Sequence, residues 1–204
     1  MDKSLYSCPV GKEGIEIIER MNEHHSELTD WALSYIPDID PKDILDIGCG
    51  GGMFLRKLGM MFGNSNLYGI DISDDCVRIA SKINELLIND GRLSVINASV
   101  ESIPFDDSKF DLITAVETYF FWPDLERNLE EVRSKLSEKG ILVIVSEQYP
   151  DPVFEEKNKS VEEECGAKLV TNQKMEEILS CLDLSVKVHT CPEKNWVTFI
   201  AEVR

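Results

Sequence analysis

The chain has 204 residues, 43% of them hydrophobic, and carries 38 acidic against 21 basic side chains, a formal net charge of −17. That balance argues against a nucleic-acid partner, whose phosphates demand clustered cations, and reads as a solubilising surface over a full core. The N-terminus has no apolar signal core, no run approaches the roughly 20 apolar residues of a membrane span, and the six cysteines show neither CxxC spacing nor a histidine at metal-ligand spacing; reduced thiols, no resident metal, no membrane contact and a cytoplasmic location are expected.

Residues 1–40 are read as an N-terminal helical cap, with a helix around GIEIIERMNEHHSELTDWALSYI, ahead of a domain spanning 41–204 within a single-domain protein. DILDIG (43–48) is a first strand and MFLRKLGMMF (53–62) a helix with Leu55, Leu58 and Phe62 on one side. LYGIDI (67–72) is the second strand. Ser73 is placed to cap the next helix, whose apolar face runs Cys76, Ile79, Ala80, Ile83, Leu86 and Leu87. LSVINA (93–98) is strand three, and FDLITAVET (110–118), apolar through its core, is a strand covered on both faces. A helix over 124–136 leads to strand five at 140–148, and Thr171 or Asn172 starts a helix with Met175, Ile178, Leu179 and Leu182 inward. LSVKVHT (184–190) and WVTFIAEV (196–203) form a terminal antiparallel hairpin. The predicted fold is α/β: a Rossmann-like, doubly wound sheet, mostly parallel with one antiparallel strand from that hairpin, and helices on both faces. Residues 1–40 and 149–170 are the segments available to roof the carboxyl ends of the strands.

The chemistry concentrates in ILDIGCGGGMF, where Gly48, Gly50, Gly51 and Gly52 follow Asp46. A dinucleotide fingerprint needs a small residue at its sixth position, and here Met53 stands there; no Gly-Lys-Ser/Thr follows for a triphosphate. Asp46, Gly48, Gly50 and Gly52 instead make D-x-G-x-G-x-G, which resembles motif I of class I S-adenosylmethionine-dependent methyltransferases. IPFDDSKFDLI (103–113) and NLEEVRSKLSEKGILVI (128–144) resemble the type-eleven subgroup, which includes quinone-biosynthesis C-methyltransferases. SEKG stands where that subgroup usually has K-P-G-G. The likeness covers roughly residues 41–147.

The resemblance implies S-adenosylmethionine as cofactor, with Asp46 near its amino end and the turn residues Gly48, Cys49, Gly50 and Gly52 beneath it. Asp71 ends strand two where a carboxylate accepts from both ribose hydroxyls, and Ile72 follows it in the same set; Asp71 as a helix cap is the competing reading, with Ser73 already suited to that role. Alignment puts Ser99 at the family's adenine-binding Asp, a weaker acceptor for want of charge, and leaves Val100 to offer its backbone N–H. Cys49 is read as a small packing residue rather than a nucleophile.

Methyl transfer asks the protein to position an acceptor and exclude water. VETYFFWPD (116–124) ends strand four and lacks the N/D/S-P-P-Y/F signature of adenine and glutamine amide methyltransferases. Glu117 is expected beside the cofactor's methionine end or the reacting methyl, and Tyr119, Phe120, Phe121 and Trp122 as an aromatic wall suited to a sulfonium cation, packing of helix on sheet being their alternative. RMNEHHSELTDWAL (20–33) resembles an M-N-x-x-H-x-x-L-T-x-W pattern of a bacterial and archaeal subset, which aligns His25 as base or carboxylate holder and leaves His24 solvated. His189 is expected to be structural or exposed. The expected function is methyl transfer to a small-molecule acceptor, with His25, Glu117 and Tyr119 as catalytic candidates. Its alternatives are a cofactor-binding regulator or partner subunit without turnover, and a nicotinamide oxidoreductase, which Met53 opposes. The scattered cysteines do not suit arsenite methylation, and no feature selects the acceptor atom or the oligomeric state.

Overall fold

The computed structural model describes residues 4–107 and 109–204; residues 1–3 of the cap and residue 108 of the 103–113 stretch lie outside them. Seven strands, β1 (Asp43–Ile47), β2 (Asn66–Asp71), β3 (Leu93–Asn97), β4 (Phe110–Val116), β5 (Leu136–Ser146), β6 (Leu184–Cys191) and β7 (Trp196–Val203), form one sheet in the order β3-β2-β1-β4-β5-β7-β6. β1 to β5 are mutually parallel, and β7 runs antiparallel to both of its neighbours. The predicted doubly wound sheet with its C-terminal hairpin is therefore the fold.

Helices α1 (Ser4–Ser7), α2 (Gly11–His24), α3 (Ser26–Leu33), α4 (Met53–Met61), α5 (Asp74–Ile83), α6 (Glu85–Asn89), α7 (Leu125–Lys135), α8 (Glu155–Cys165) and α9 (Asn172–Cys181) surround it. Successive strand residues feed opposite faces. Ile44, Leu112, Val143 and Ile200 meet Leu28 and Ala32 of α3, Leu55 and Leu58 of α4, and Ala80 of α5. Leu45, Ile113, Ile144 and Phe199 meet Leu129 and Val132 of α7 and Met175 and Leu179 of α9. Burial on both faces is why the strands read as unbroken apolar runs. Side-chain caps start the helices where the sequence signals them: Ser73 accepts from Cys76 N, Asp124 from Arg127 N and Thr171 from Lys174 N. Each such cap contributes on the order of 1 kcal/mol.

Four local expectations need correction. The cap helix is interrupted at His25 (φ −83, ψ 4), between α2 and α3. The helix after Ser73 ends at Ile83, and Leu86, on α6, is 80% exposed. Asn84 breaks the helix by turning its amide onto Gly52 O and Ala80 O. β5 begins at Leu136, because Leu136 pairs with Phe110 before a register shift. The polar 149–170 segment folds in part into α8.

The cap is fastened on several sides. Gly11 N donates to Asp75 Oδ2 at 2.7 Å, and Ser73 Oγ donates to Pro9 O. Lys57 Nζ on α4 donates to Ser26 O, Thr29 Oγ1 and Asp30 Oδ1. Lys194 in the hairpin turn pairs with Glu27, and His189 stacks on Tyr35 with ring centroids 4.1 Å apart. Among the described residues no helix is long and apolar enough to cross a membrane.

Candidate active site

From β1 the chain moves outward to β2 and β3, then returns beside β1 as β4 and builds the other way. Open α/β sheets form a ligand crevice at such a reversal, outside the carboxyl ends of the strands. A cavity of about 380 Å³ lies there. It is lined by Asp46, Gly48, Cys49 and Gly50 from β1 and its turn, Asp71 and Ile72 from β2, Ser99 and Val100 after β3, Glu117 after β4, and His25 from the cap. Gly52 and Tyr119 are not part of its lining.

The glycine turn is pulled onto β2 by Gly48 N and Cys49 N, which both donate to Ile70 O, at 2.8 and 3.0 Å. Its glycines serve different ends. A Cβ on Gly50 would meet no protein atom within 4 Å, on a residue that borders the cavity. A Cβ on Gly52 (φ +79) would lie 2.7 Å from Ala80 Cβ and from Asn84 Nδ2, so Gly52 lets α5 approach the start of α4. The expectation that Gly52 underlies the cofactor gives way to this packing role. Cys49 is buried, with its thiol pushed well up by burial, as suits a packing residue rather than a nucleophile.

Three carboxylates face this cavity. Asp46 is 2% exposed and accepts from Thr114 Oγ1 at 2.7 Å; burial pushes its carboxyl up to about 7. Asp71 accepts from Gly50 N through Oδ2 and from Ser73 N through Oδ1, both at 2.9 Å, bracing the glycine turn against the start of α5. Burial raises it too, opposed by those two hydrogen bonds. Glu117, 8% exposed, is held at φ +55, a left-handed conformation rare for a residue with a Cβ. Strain of that kind costs about 1–3 kcal/mol and gathers at functional sites. Its N donates to Val145 O, and its Oε1 accepts from Glu147 N at 2.5 Å. Burial, then the Glu147 charge, pushes Glu117 up to about 8.

Beyond Glu117 the chain makes a 3-10 turn, Tyr119–Phe121. With about three residues per turn, successive side chains point well apart. Tyr119, 2% exposed, goes into the core against Phe120, so its hydroxyl, raised by burial, is held inside rather than at the cavity. Phe121 reaches the cavity, as does Trp122. Ser99 Oγ accepts from Glu101 N at 3.2 Å and lies 3.3 Å from Glu101 Oε2.

A second cavity, of about 610 Å³, adjoins the first. The two share Tyr6, Met21, His25, Glu117 and Phe121. Ile17, Phe120 and Val161 add apolar wall, and Arg20, His24, Glu147 and Gln148 add polar groups. His25 is kept neutral by burial, partly offset by Glu147. His24, read from sequence as solvated, is largely exposed but pairs through Nε2 with Glu147 Oε2 at 3.0 Å. Glu147 and Gln148 escaped the sequence reading. Their signal was available: polar residues at the carboxyl end of an apolar parallel strand point into the crevice.

This fold and site define a class I methyltransferase that uses S-adenosylmethionine. Residues 45–144 belong to the methyltransferase-domain family Methyltransf_11. The chain is 29% identical over 146 residues to a demethylmenaquinone methyltransferase of Thermotoga maritima, a match spanning 66% of this chain and 61% of that one. Among solved structures it is similar to a chain from the Haloferax volcanii complex of the Trm112 methyltransferase activator with a methyltransferase (TM-score 0.79, 18% identity, 92% of this chain and 94% of that one). It is also similar to a SAM-dependent methyltransferase from Aquifex aeolicus (TM-score 0.73, 18% identity, 93% and 98%).

Proposed function

We propose that the protein transfers the methyl group to a small-molecule acceptor seated in the second cavity, as a cytoplasmic enzyme whose six cysteines remain thiols. The observation that carries this reading is the shared wall: His25, Glu117 and Phe121 border both cavities, so a donor in one and an acceptor in the other meet at the same side chains. Volumes of this size, apolar with a few convergent polar groups, suit small ligands.

The residues of the first cavity fit the donor. A cationic amino group has a carboxylate in Asp46, ribose hydroxyls have Asp71, and the adenine edge has Ser99 Oγ and Val100 N. The backbone at Gly50 leaves open space where a side chain would stand. When bound, S-adenosylmethionine supplies a sulfonium methyl open to in-line displacement. Phe121 and Trp122 offer ring faces to that cation and help exclude water. Glu117 fixes the end of β4 beside the reacting groups, and the neutral His25 offers a ring nitrogen to the acceptor or to the proton it gives up. Tyr119 acts from the core, holding the turn that aims Phe121, rather than on the reactants. The helical cap roofs the site.

The test is transfer of isotope-labelled methyl from S-adenosylmethionine to a panel of amines, thiols, phenols and acidic carbon compounds. Transfer to one class, lost in Glu117→Gln, supports the reading. Tight S-adenosylhomocysteine binding with no transfer to any class would make the protein a cofactor-binding subunit instead.

A further inference from the structure

His24, His25 and Glu147 converge although Glu147 is 123 residues from His24. On an unbroken helix adjacent side chains diverge by about 100°. The break at His25 relieves that divergence, and the two rings come to 5.4 Å between centroids, inclined at 63°. One ligand-type atom from each of the three residues lies within 4.8 Å of the others. The closest pair, His24 Nε2 to Glu147 Oε2 at 3.0 Å, is already near the edge of a zinc tetrahedron, about 3.3 Å for bonds of about 2.0 Å.

The carboxylate is oriented from outside the cluster. Gln148 Nε2 donates to Glu147 Oε1 at 3.2 Å, leaving Oε2 toward the histidines, and Glu147 N is held by Glu117. Positioning of ligands by neighbouring hydrogen bonds is a regular feature of metal sites. His25 and Glu147 both line the second cavity, and His25 lines the donor cavity as well.

We propose that His24, His25 and Glu147 form a binding site for a divalent first-row metal ion, with a fourth position open to the second cavity. Two imidazoles and one carboxylate with an open position are a donor set of catalytic zinc and non-haem iron centres. The inference rests on the second cavity as the acceptor site. It narrows the acceptor to a thiol or hydroxyl compound: the ion binds the sulfur or oxygen as its anion, and the displaced proton leaves to bulk water. The lone pair that remains on that atom is the one that attacks the methyl carbon.

The test uses the full chain freed of metal with a chelator and titrated with Co²⁺ while its visible absorption is followed, then with Zn²⁺ in competition. The expected result is one equivalent of Co²⁺ with ligand-field bands of low coordination number. Affinity falls about tenfold or more in His24→Ala and in Glu147→Gln, and is unchanged in His189→Ala. His24 is largely exposed, so its removal leaves the core intact. No stoichiometric binding, or equal binding by wild type and His24→Ala, overturns the site. S-adenosylhomocysteine binding, measured in the same samples, reads the methyltransferase assignment separately: kept where metal binding fails, it leaves the metal site alone overturned.

Discussion

Glu147 N donates to Glu117 Oε1 at 2.5 Å, so the backbone ending β5 grips the side chain ending β4. This bond holds Glu117 at its strained φ of +55, between the two cavities. Glu117→Gln keeps an acceptor oxygen for the bond and should stay folded, with a thermal midpoint close to wild type. Its methyl transfer should fall by about tenfold or more, the scale of one charged contact near a reacting centre. Unchanged transfer would remove Glu117 from the chemistry.

Asp46 gives a pH signature. Its carboxyl sits near 7 in the fold, against an ordinary value of 3.8. A carboxyl raised in this way adds stability that is complete below about 4 and is lost as pH rises through 7. Asp46→Asn should therefore gain on wild type between pH 5 and pH 8 in thermal unfolding. A cation held by the ionised form has the opposite dependence, so the wild-type stabilisation by S-adenosylhomocysteine should grow over the same range. Asp46→Asn should lose that growth. Parallel curves for the two proteins would place the cofactor's amino group elsewhere.

The glycine turn separates binding from stability. Gly52→Ala drives a Cβ into Ala80 at a left-handed backbone position and should cost about 2–4 kcal/mol in denaturant unfolding. The folded fraction should bind S-adenosylhomocysteine normally. Gly50→Ala meets no protein atom, so calorimetry should show most of its damage as lost cofactor affinity. An equal loss of affinity in both variants would contradict this division.

Ser99 lies 3.3 Å from the Glu101 carboxylate. Ser99→Asp supplies the family's usual acceptor but sets two like charges side by side, which weakens it. The double variant Ser99→Asp, Glu101→Gln should therefore bind S-adenosylhomocysteine more tightly than Ser99→Asp alone. Calorimetry giving the same affinity for both would move the adenine away from Ser99.

The sheet was legible because its strands are buried on both faces and their helices carry ordinary caps, as at Ser73, Asp124 and Thr171. The cavity lining from Asp46 to Glu117 was legible for a related reason: it sits at strand ends, where sequence position fixes location. What escaped depended on distant partners. Gly52 belongs to a helix contact with Ala80, and Tyr119 is turned inward by a 3-10 bend. His24 is ordinary in sequence and acquires meaning only beside Glu147. The breaks at His25 and Asn84 lie inside helix-period stretches that give no local sign of stopping.

The donor and its spent form differ by one positive charge, and Asp46, Asp71 and Glu117 all border the cavity that receives them. Such a lining grips the sulfonium more firmly than the neutral thioether left after reaction. Product inhibition, the usual brake on enzymes that share a scarce methyl donor, is thereby weakened by the same buried acids that orient the donor.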